Sequence, residues 1–403
     1  MLATLLSLLV AIYLYVSSIG AEVLPNLTLI GIALMAMATL FVLILPIMRA
    51  LAWSPLQHAE ANSTPHVVEL YLRDKRLQFG HLVLLLFPLF TYAIAIDVLF
   101  LNVLNKNIVL PVWIVLLGFA IDAIHDSLKR TSNYLNPHYV TELFTQDALE
   151  SVRDGEEMDL CHWIDALSEV SIRAIQRMSI SLCNSACNEL QRIMRQFFES
   201  SKSISHENQD SQSREMGITD KVSFTLLFFL QRLEMINTKA VEQRLEPVCS
   251  NLTSILGKVS VAAAKYDLSL VTYIMPFFGR FVLLAQSNHL NEVGVKASLT
   301  LVAVAKIIVN EVDLTYQELQ DPFFSMINQI TEISKETFRQ DKTVKIQVLT
   351  QSLIDLKELF QSEKMASHRD TPAIIEQIDR KLAEFDAVEA VMRTIPPIPD
   401  SAL

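Results

Sequence analysis

Long uncharged runs of apolar residues alternate with short polar segments over the first 130 residues of the chain. The runs cover residues 2–19, 27–48, 79–101 and 108–124, and the last two contain one acidic residue each. A helix of about 20 residues, rising ~1.5 Å per residue, crosses a hydrocarbon core of ~30 Å. The pattern therefore predicts a four-span helical membrane domain over residues 1–130.

The basic residues beside these runs predict the orientation of the spans. Residues 20–26 contain no Lys or Arg, residues 49–78 contain four, residues 102–107 contain one, and Lys129 and Arg130 follow the fourth run. Lys and Arg are enriched in cytoplasmic flanks. We therefore expect an integral membrane protein with cytoplasmic N- and C-termini and short outer loops at 20–26 and 102–107.

The first run has an alternative interpretation as a cleaved signal peptide. Ser18, Ile19 and Gly20 offer small residues near a plausible cleavage site, but no basic residue precedes the run and its apolar part is longer than usual. The sequence favours a span. Cleavage would leave three spans and would not move the remainder of the chain to the other side.

A helical period replaces the continuous runs after residue 130. From Leu160 to Phe197 the apolar residues recur every three or four positions, which is typical of an amphipathic helix. We predict an amphipathic helical connector over 131–200, with one long helix or two in tandem over 158–200. Residues 201–216 lack aromatic, Leu and Val residues, which predicts a flexible linker.

Polar punctuation then separates seven helical runs of similar length. Pro247, Asp267, Asp341 and the pair Thr371-Pro372 stand where helices are expected to start. The pattern predicts a cytoplasmic array of antiparallel helices over 217–394, either an α-solenoid or a closed bundle, followed by a Pro-rich tail at 395–403. The expected runs are 219–243, 247–265, 268–287, 292–312, 316–339, 342–364 and 372–394.

Two of the predicted array helices are apolar on nearly every side. Residues 268–285 contain only Arg280 as a charged residue, and residues 295–309 contain only two lysines. Such helices are expected at the centre of a packed array. A fifth span at 268–285 is the alternative, and Arg280 weighs against it because burying a charge in lipid is costly.

Composition and charge further limit the classes of protein to which the chain could belong. The chain of 403 residues is 51% apolar and 19% charged, and its nine glycines form no glycine-rich phosphate loop. Residues 1–130 contain seven acidic and seven basic side chains, so the net charge of −11 belongs to the remainder. An acidic domain repels phosphate backbones, and we expect no nucleic-acid partner.

Two acidic residues inside the predicted spans, Asp97 and Asp122, are the candidate functional residues. Charges in spans are functional hypotheses because burying them in lipid costs several kcal/mol. Asp97 falls in the outer quarter of the third span and Asp122 near the inner end of the fourth. Their separation of ~14 Å along the membrane normal, at ~1.5 Å per residue, favours two interfacial acids over a shared ion site. Either acid lining a polar cavity is the alternative.

No other residues form a recognisable catalytic or metal-binding pattern. Cys183 and Cys187 share a helix face, but Leu190 and Met194 continue that face, which indicates core packing. Residues 257–260 imitate the end of a phosphate loop, although Leu252 stands where its first glycine should be. We therefore expect no catalytic residue, no metal site and no cofactor.

These observations predict a non-enzymatic multi-pass membrane protein that presents a cytoplasmic helical scaffold. Its expected partners are the lipid bilayer and a protein, or further copies of the chain, bound by the cytoplasmic helices. An oligomeric channel or transporter with a regulatory helical domain is the alternative, motivated by Asp97 and Asp122. A membrane enzyme is disfavoured because no catalytic constellation is visible.

Overall fold

The computed structural model describes residues 2–18, 27–62, 64, 66–101, 103–207, 212–342 and 344–394. These residues form an all-α protein, and none of them belongs to a β-strand. The chain divides into two compact units, Met1–Val140 and Thr141–Leu403. The expected all-α class is confirmed for the described residues.

Sixteen α-helices make up the described part of the chain. Those of the first unit, with a sixth that continues into the second, are α1 Leu2–Ser18, α2 Leu27–Asn62, α3 His66–Arg73, α4 Lys75–Ile96, α5 Lys106–Tyr134 and α6 Pro137–Asp154. Those of the second unit are α7 Glu157–Gln176, α8 Ile180–Glu207, α9 Gln212–Glu242, α10 Glu246–Tyr266, α11 Val271–Ser287, α12 Asn291–Glu311, α13 Gln320–Gln340, α14 Ile346–Gln361, α15 Glu363–Ala366 and α16 Thr371–Thr394. A π-helical turn, Asp97–Leu101, extends α4, and a 3₁₀ turn, Leu268–Leu270, precedes α11.

The long helices of the first unit pack as antiparallel neighbours. Helix α5 lies between α1 and α4, and α4 also packs along α2. Phe87 of α4 joins the two interfaces, since it makes an edge-to-face contact with Phe41 of α2 and stacks near Trp113 of α5. Polar bonds add to this packing, with the Trp113 indole N–H donating to Thr91 Oγ1 at 3.0 Å and the Tyr92 hydroxyl lying 2.8 Å from Thr39 Oγ1.

Helices α1 and α5 approach closely because a glycine lies between them. A Cβ atom on Gly118 of α5 would overlap Ser7 of α1 and would lie 2.9 Å from the carbonyl oxygen of Ala3. Small residues at a helix crossing let two backbones approach, which is how helices associate where lipid removes the hydrophobic drive.

The second unit is built from helical hairpins stacked side by side. Each of the pairs α7/α8, α9/α10, α11/α12 and α13/α14 packs together. Helices α7, α9, α11 and α13 form one layer, helices α8, α10, α12 and α14 form the other, and each helix packs against the next in its layer. Helix α16 lies against both α13 and α14.

Contacts between successive hairpins recur at a nearly constant separation along the chain. Arg280 of α11 pairs with Glu234 of α9 at 2.7 Å, and Lys265 of α10 pairs with Glu311 of α12 at 2.6 Å. The Glu246 carboxylate accepts the backbone N–H of Glu292 at 3.1 Å. Each of these bonds joins residues 46 apart, which is the length of one helical hairpin in solenoid proteins.

Three hairpins share one turn geometry. Met178, Arg244 and His289 follow α7, α9 and α11 with left-handed φ values of 59°, 54° and 65°. In each turn the next residue donates its backbone N–H to the carbonyl oxygen five positions earlier, as in Ser179 to Ala174. This is the Schellman ending of a helix, which normally places glycine at the left-handed position.

The helical runs expected from the sequence correspond to helices of the second unit, although α13 and α14 each begin four residues later than expected. The tandem alternative for 158–200 is the one observed, since α7 and α8 are separate. Residues 201–207 and 212–216 of the segment predicted as a flexible linker are helical. Residues 208–211 and the tail at 395–403 lie outside the described residues.

Three of the four expected helix-start signals lie at the start of a helix or helical turn. Pro247 lies in the first turn of α10, Asp267 accepts the Ser269 backbone N–H at 2.9 Å, and α16 begins at Thr371. Asp341 instead follows α13, and α14 begins after Lys345. The expected start at 342 is therefore wrong by four residues, because the backbone is extended at Asp341 and again at Lys345.

The hairpin turns yield a stability prediction. We expect His289→Gly to raise the free energy of unfolding by about 0.5–1 kcal/mol, because relief of the left-handed strain exceeds the entropy that glycine adds to the unfolded chain. Asn288→Gly, one residue earlier at a φ of −101°, is the matched control and should not stabilise. Thermal unfolding of the full chain in detergent checks both, and a lower midpoint for His289→Gly would contradict the strain argument.

Candidate functional site

Four helices within the described residues are long and apolar enough to cross a membrane: Thr28–Met48, Lys75–Leu101, Asn107–Tyr134 and Leu268–Ser287. The first three correspond to the second, third and fourth spans expected from the sequence. The apolar part of α1, Leu2–Tyr13, is a shorter helix than the others. The 17 residues of α1 extend for about 25 Å at 1.5 Å each, which is a few ångströms less than a typical hydrocarbon core.

Apolar side chains cover the outside of the first unit. Only 24% of the apolar window in α2 and 11% of that in α5 are buried. The most exposed large side chains include Leu9 at 69%, Phe79 at 66% and Phe100 at 76%. Further exposed residues on the same helices are Leu29, Ile32, Leu43, Leu86, Leu89 and Phe119. An apolar surface of this extent indicates an interaction with lipid or protein.

The fourth long apolar helix has different surroundings. In Leu268–Ser287, 61% of the window is buried, because α9, α10, α12 and α13 pack around α11. Arg280, the charged residue that weighed against a span, pairs with Glu234 and lies 4.1 Å from the Phe277 ring centroid. Neighbouring helices, rather than an open apolar surface, therefore cover most of this segment.

Asp122 holds the start of the first helix. Its carboxylate accepts the backbone N–H of Ala3 at 3.3 Å and that of Thr4 at 3.0 Å, and it also bonds the Thr4 hydroxyl. The first backbone N–H groups of a helix have no partner within the helix, and a carboxylate satisfies them while complementing the helix dipole. Asp122 therefore caps α1 from a position on α5.

Asp97 also binds backbone N–H groups, at the other end of the unit. Asp97 is 4% exposed, and it is the first residue of the π-helical turn that follows α4. The carboxylate accepts the backbone N–H of Val103 at 3.0 Å and that of Leu104 at 3.2 Å. These bonds hold the connection between α4 and α5.

The two candidate acids are therefore far apart. Asp97 binds the connection before α5, whereas Asp122 lies 16 residues after the first residue of α5, which is about 24 Å along a helix. The structure does not bring them to a common site. Whether either acid takes part in transport stays a prediction.

A polar cluster at one end of the first unit was not anticipated from the sequence. Asp74 caps α4 by accepting the backbone N–H groups of Arg76 and Leu77. Its other oxygen accepts from Arg130 Nη1 at 3.1 Å and from the Tyr134 hydroxyl at 3.2 Å. The signal was present, since an Asp a few residues before an apolar helical run is a typical helix start.

The environment of Asp74 stabilises its charged form. Burial acts to raise the pKa of Asp74, but the backbone N–H of Leu77, the charge of Arg130 and the backbone N–H of Arg76 outweigh it, so the pKa lies below its usual value. This cluster fixes the start of α4 against the last turns of α5.

The four cysteines are buried free thiols of the second unit. Cys183 and Cys187 lie on α8, and Cys249 lies on α10, the next helix of that layer. A hydrogen bond with Cys187 and burial raise the pKa of the Cys183 thiol, and burial raises the pKa of Cys249 to about 12. Thiols that remain protonated pack as small apolar side chains, in agreement with the core packing expected for Cys183 and Cys187.

Comparison with known proteins adds little to this description. No protein-family model matches the chain, and no curated protein matches it at the level required for significance. One solved structure matches, a circular tandem repeat protein with novel repeat topology and enhanced subunit contact surfaces, at 14% identity over 90% of this chain and 99% of that one. Its TM-score is 0.29, which is too low to indicate a shared fold.

The Asp74 cluster yields a prediction on pH dependence. We expect Asp74→Asn to lower the thermal midpoint near neutral pH by the equivalent of about 1 kcal/mol, because the amide retains the cap but loses the charge. The lowered pKa means that this stabilisation is present above the unfolded value of about 3.9 and is lost as the pH falls through the folded value. The difference between variant and parent should therefore vanish in acid.

The control for this experiment is Asp126→Asn. Asp126 also bonds Arg130, at 2.8 Å, but its side chain is 55% exposed, so solvent screens the pair. Thermal unfolding in detergent from about pH 3 to 7 measures both variants against the parent. Equal losses for the two variants at neutral pH would show that burial of the Asp74 pair does not matter.

Proposed function

We propose that the chain is a multi-pass membrane protein in which α1, α2, α4 and α5 cross the bilayer and the second unit is a cytoplasmic protein-binding scaffold. The observation that carries this proposal is the contrast in exposure between long apolar helices. Those of the first unit leave apolar side chains outward over most of their length, whereas Leu268–Ser287 is mostly covered by other helices. Lipid is the cover that suits the first group.

The antiparallel packing of the first unit agrees with this arrangement. Four successive crossings require the first and fourth, the second and third, and the third and fourth spans to run in opposite directions, as α1 and α5, α2 and α4, and α4 and α5 do. The ion pair between Asp74 and Arg130 joins the start of α4 to the end of α5. Two basic flanks, one before α4 and one at the end of α5, therefore meet at the end that we assign to the cytoplasm.

The scaffold role rests on the two-layered stack of hairpins. Each hairpin contacts its neighbours in sequence, so the unit offers an extended surface made of repeated helix faces, which is the form that many binding solenoids take. The absence of a catalytic pattern in the sequence motivates a non-enzymatic role, and a protein or another copy of this chain is the proposed partner.

The topology can be tested with single cysteines, because the native thiols are buried. We expect Asn105→Cys, in the exposed connection before α5, to react with an impermeant maleimide added to intact cells. Two other variants should react only after the membrane is opened. They are Glu156→Cys, in the exposed turn before α7, and Tyr273→Cys, at a position where the native tyrosine is 50% exposed.

The outcomes of this labelling separate the competing topologies. Reaction of Glu156→Cys from outside would overturn the orientation. If Tyr273→Cys resists labelling on both sides while Glu156→Cys reacts, Leu268–Ser287 is shielded by lipid and the fifth span is supported instead. Extraction of the whole chain by alkaline carbonate would contradict any spanning segment.

The transport alternative has its own measurement. Because Asp97 binds backbone N–H groups of the connection before α5 and Asp122 binds those at the start of α1, we expect their Asn variants to lower thermal stability in detergent without creating or abolishing an ion flux. Flux across reconstituted vesicles that is present in the parent and lost in Asp97→Asn, with the fold retained, would favour a channel or transporter.

A further inference from the structure

One layer of the second unit contains a basic region within an otherwise acidic domain. Between Pro247 and Asn310 the chain has two acidic residues, Asp267 and Glu292. The same stretch contains Lys258 and Lys265 on α10, Arg280 on α11, and Lys296 and Lys306 on α12. Because α10 and α12 pack side by side in one layer, their lysines belong to one surface.

The exposed face of α12 is apolar as well as basic. Val295 is 55% exposed, Leu299 is 59% exposed and Ile307 is 38% exposed. These residues recur at four- and eight-residue intervals, so they lie along one side of the helix. Lys296 and Lys306 are exposed on the same side, and no acidic residue occurs between Glu292 and Glu311.

A groove beside α10 continues this surface onto α8. Phe198 and Tyr266 line it with ring centroids 6.1 Å apart, together with Val261 and Ala262. Basic side chains at its edge are Arg195, Lys258 and Lys265, and Glu199 is its one acidic lining residue. The groove thus has an apolar floor and a rim on which, among the described residues, Arg195 and Lys265 are in ion pairs and Lys258 is not.

Three of the four lysines on this face differ in their pairing from most cations of the unit, whereas the fourth, Lys265, pairs with Glu311. Lys221, Lys239, Lys265, Lys335 and Lys357 all lie within 3.4 Å of a carboxylate oxygen. In the part of the chain that the structure describes, no ion pair involves Lys258, Lys296 or Lys306. Their charge is available to an external anion.

We infer that this surface, defined by the exposed faces of α10 and α12 and called here the lysine face, docks on an anionic phospholipid bilayer. Lysines interspersed with exposed aliphatic side chains are typical of helices that lie in the headgroup region. The cytoplasmic leaflet carries a negative surface potential that attracts such residues. The inference rests on the proposed function, since spans in the same chain keep a bilayer at high effective concentration.

The test uses the full chain in lipid nanodiscs, with Leu299→Cys as the reporter on the lysine face and Tyr273→Cys as the control on the other layer. We expect an impermeant maleimide to label Leu299→Cys about five-fold more slowly on discs containing phosphatidylserine than on pure phosphatidylcholine discs. This is the factor by which one lysine strengthens binding to an anionic surface, at about 1 kcal/mol. Tyr273→Cys should react equally on both. High salt should remove the difference, because it screens the attraction.

Charge reversal provides the matched variants. Lys296→Glu combined with Lys306→Glu should restore fast labelling of Leu299→Cys on anionic discs. Lys221→Glu combined with Lys239→Glu changes the same charge on α9, in the other layer, and should leave the protection intact. Circular dichroism of each variant confirms that the helices are retained.

The outcomes distinguish this inference from the proposed function. If the chain fails to remain with the discs during gel filtration, the proposed membrane function is wrong. If it remains but Leu299→Cys reacts equally on both lipids, the docking inference is wrong. Protection in native membranes without protection on anionic discs would assign the lysine face to an acidic protein partner and would also overturn the inference.

Discussion

The arrangement of this protein depends on how apolar helices are covered. A helix that is apolar on most sides loses about 25 cal/mol for every square ångström of apolar surface left in water. The second unit meets this constraint internally, because α11 is surrounded by four other helices. The first unit leaves its apolar side chains outward, and the proposed cover for them is lipid. The division into two units follows from these two solutions.

The ends of the helices and their connections impose a second constraint, and the chain meets it with carboxylate side chains. Asp74, Asp97 and Asp122 each accept at least two backbone N–H groups in the first unit. In the second unit the Asp370 carboxylate accepts the backbone N–H of Leu319 at 2.9 Å, before α13. A carboxylate that binds two backbone N–H groups fixes both the helix end and its distance to a neighbour. Backbone N–H groups are therefore the partners of the acidic residues Asp97 and Asp122 in the apolar segments.

Much of the helical pattern could be predicted from the sequence, because it depends on local periodicity. The positions of α9 to α12 follow from apolar residues at intervals of three and four, with Pro247 and Asp267 at the boundaries. The repeat of helical hairpins could not be recognised from the sequence. Each repeat contains two helices, and its turns lack the glycine that usually marks the end of a helix. Met178, Arg244 and His289 occupy positions where glycine would have signalled the end of a helix.

The partners of the two candidate acids, Asp97 and Asp122, were equally hidden, because they are set by tertiary packing. Asp122 binds backbone groups 118 and 119 residues away, and no local pattern contains that information. The flexible linker predicted at 201–216 shows the reverse case, in which a local pattern was present but misleading. Its Ser-rich composition favours disorder, yet its described residues belong to α8 and α9. Apolar contacts elsewhere along those helices override the weak preference of a polar segment.

Charge distribution links the two units in functional terms. A net charge of −11 would keep most of the second unit away from an anionic leaflet, because like charges repel over about one Debye length, 8 Å in physiological salt. A face with unpaired lysines and exposed aliphatic residues would then be the part of the unit for which contact with lipid is favourable. Repulsion over the other faces and attraction over this one would together select a single orientation, leaving the opposite layer of hairpins open to a protein partner.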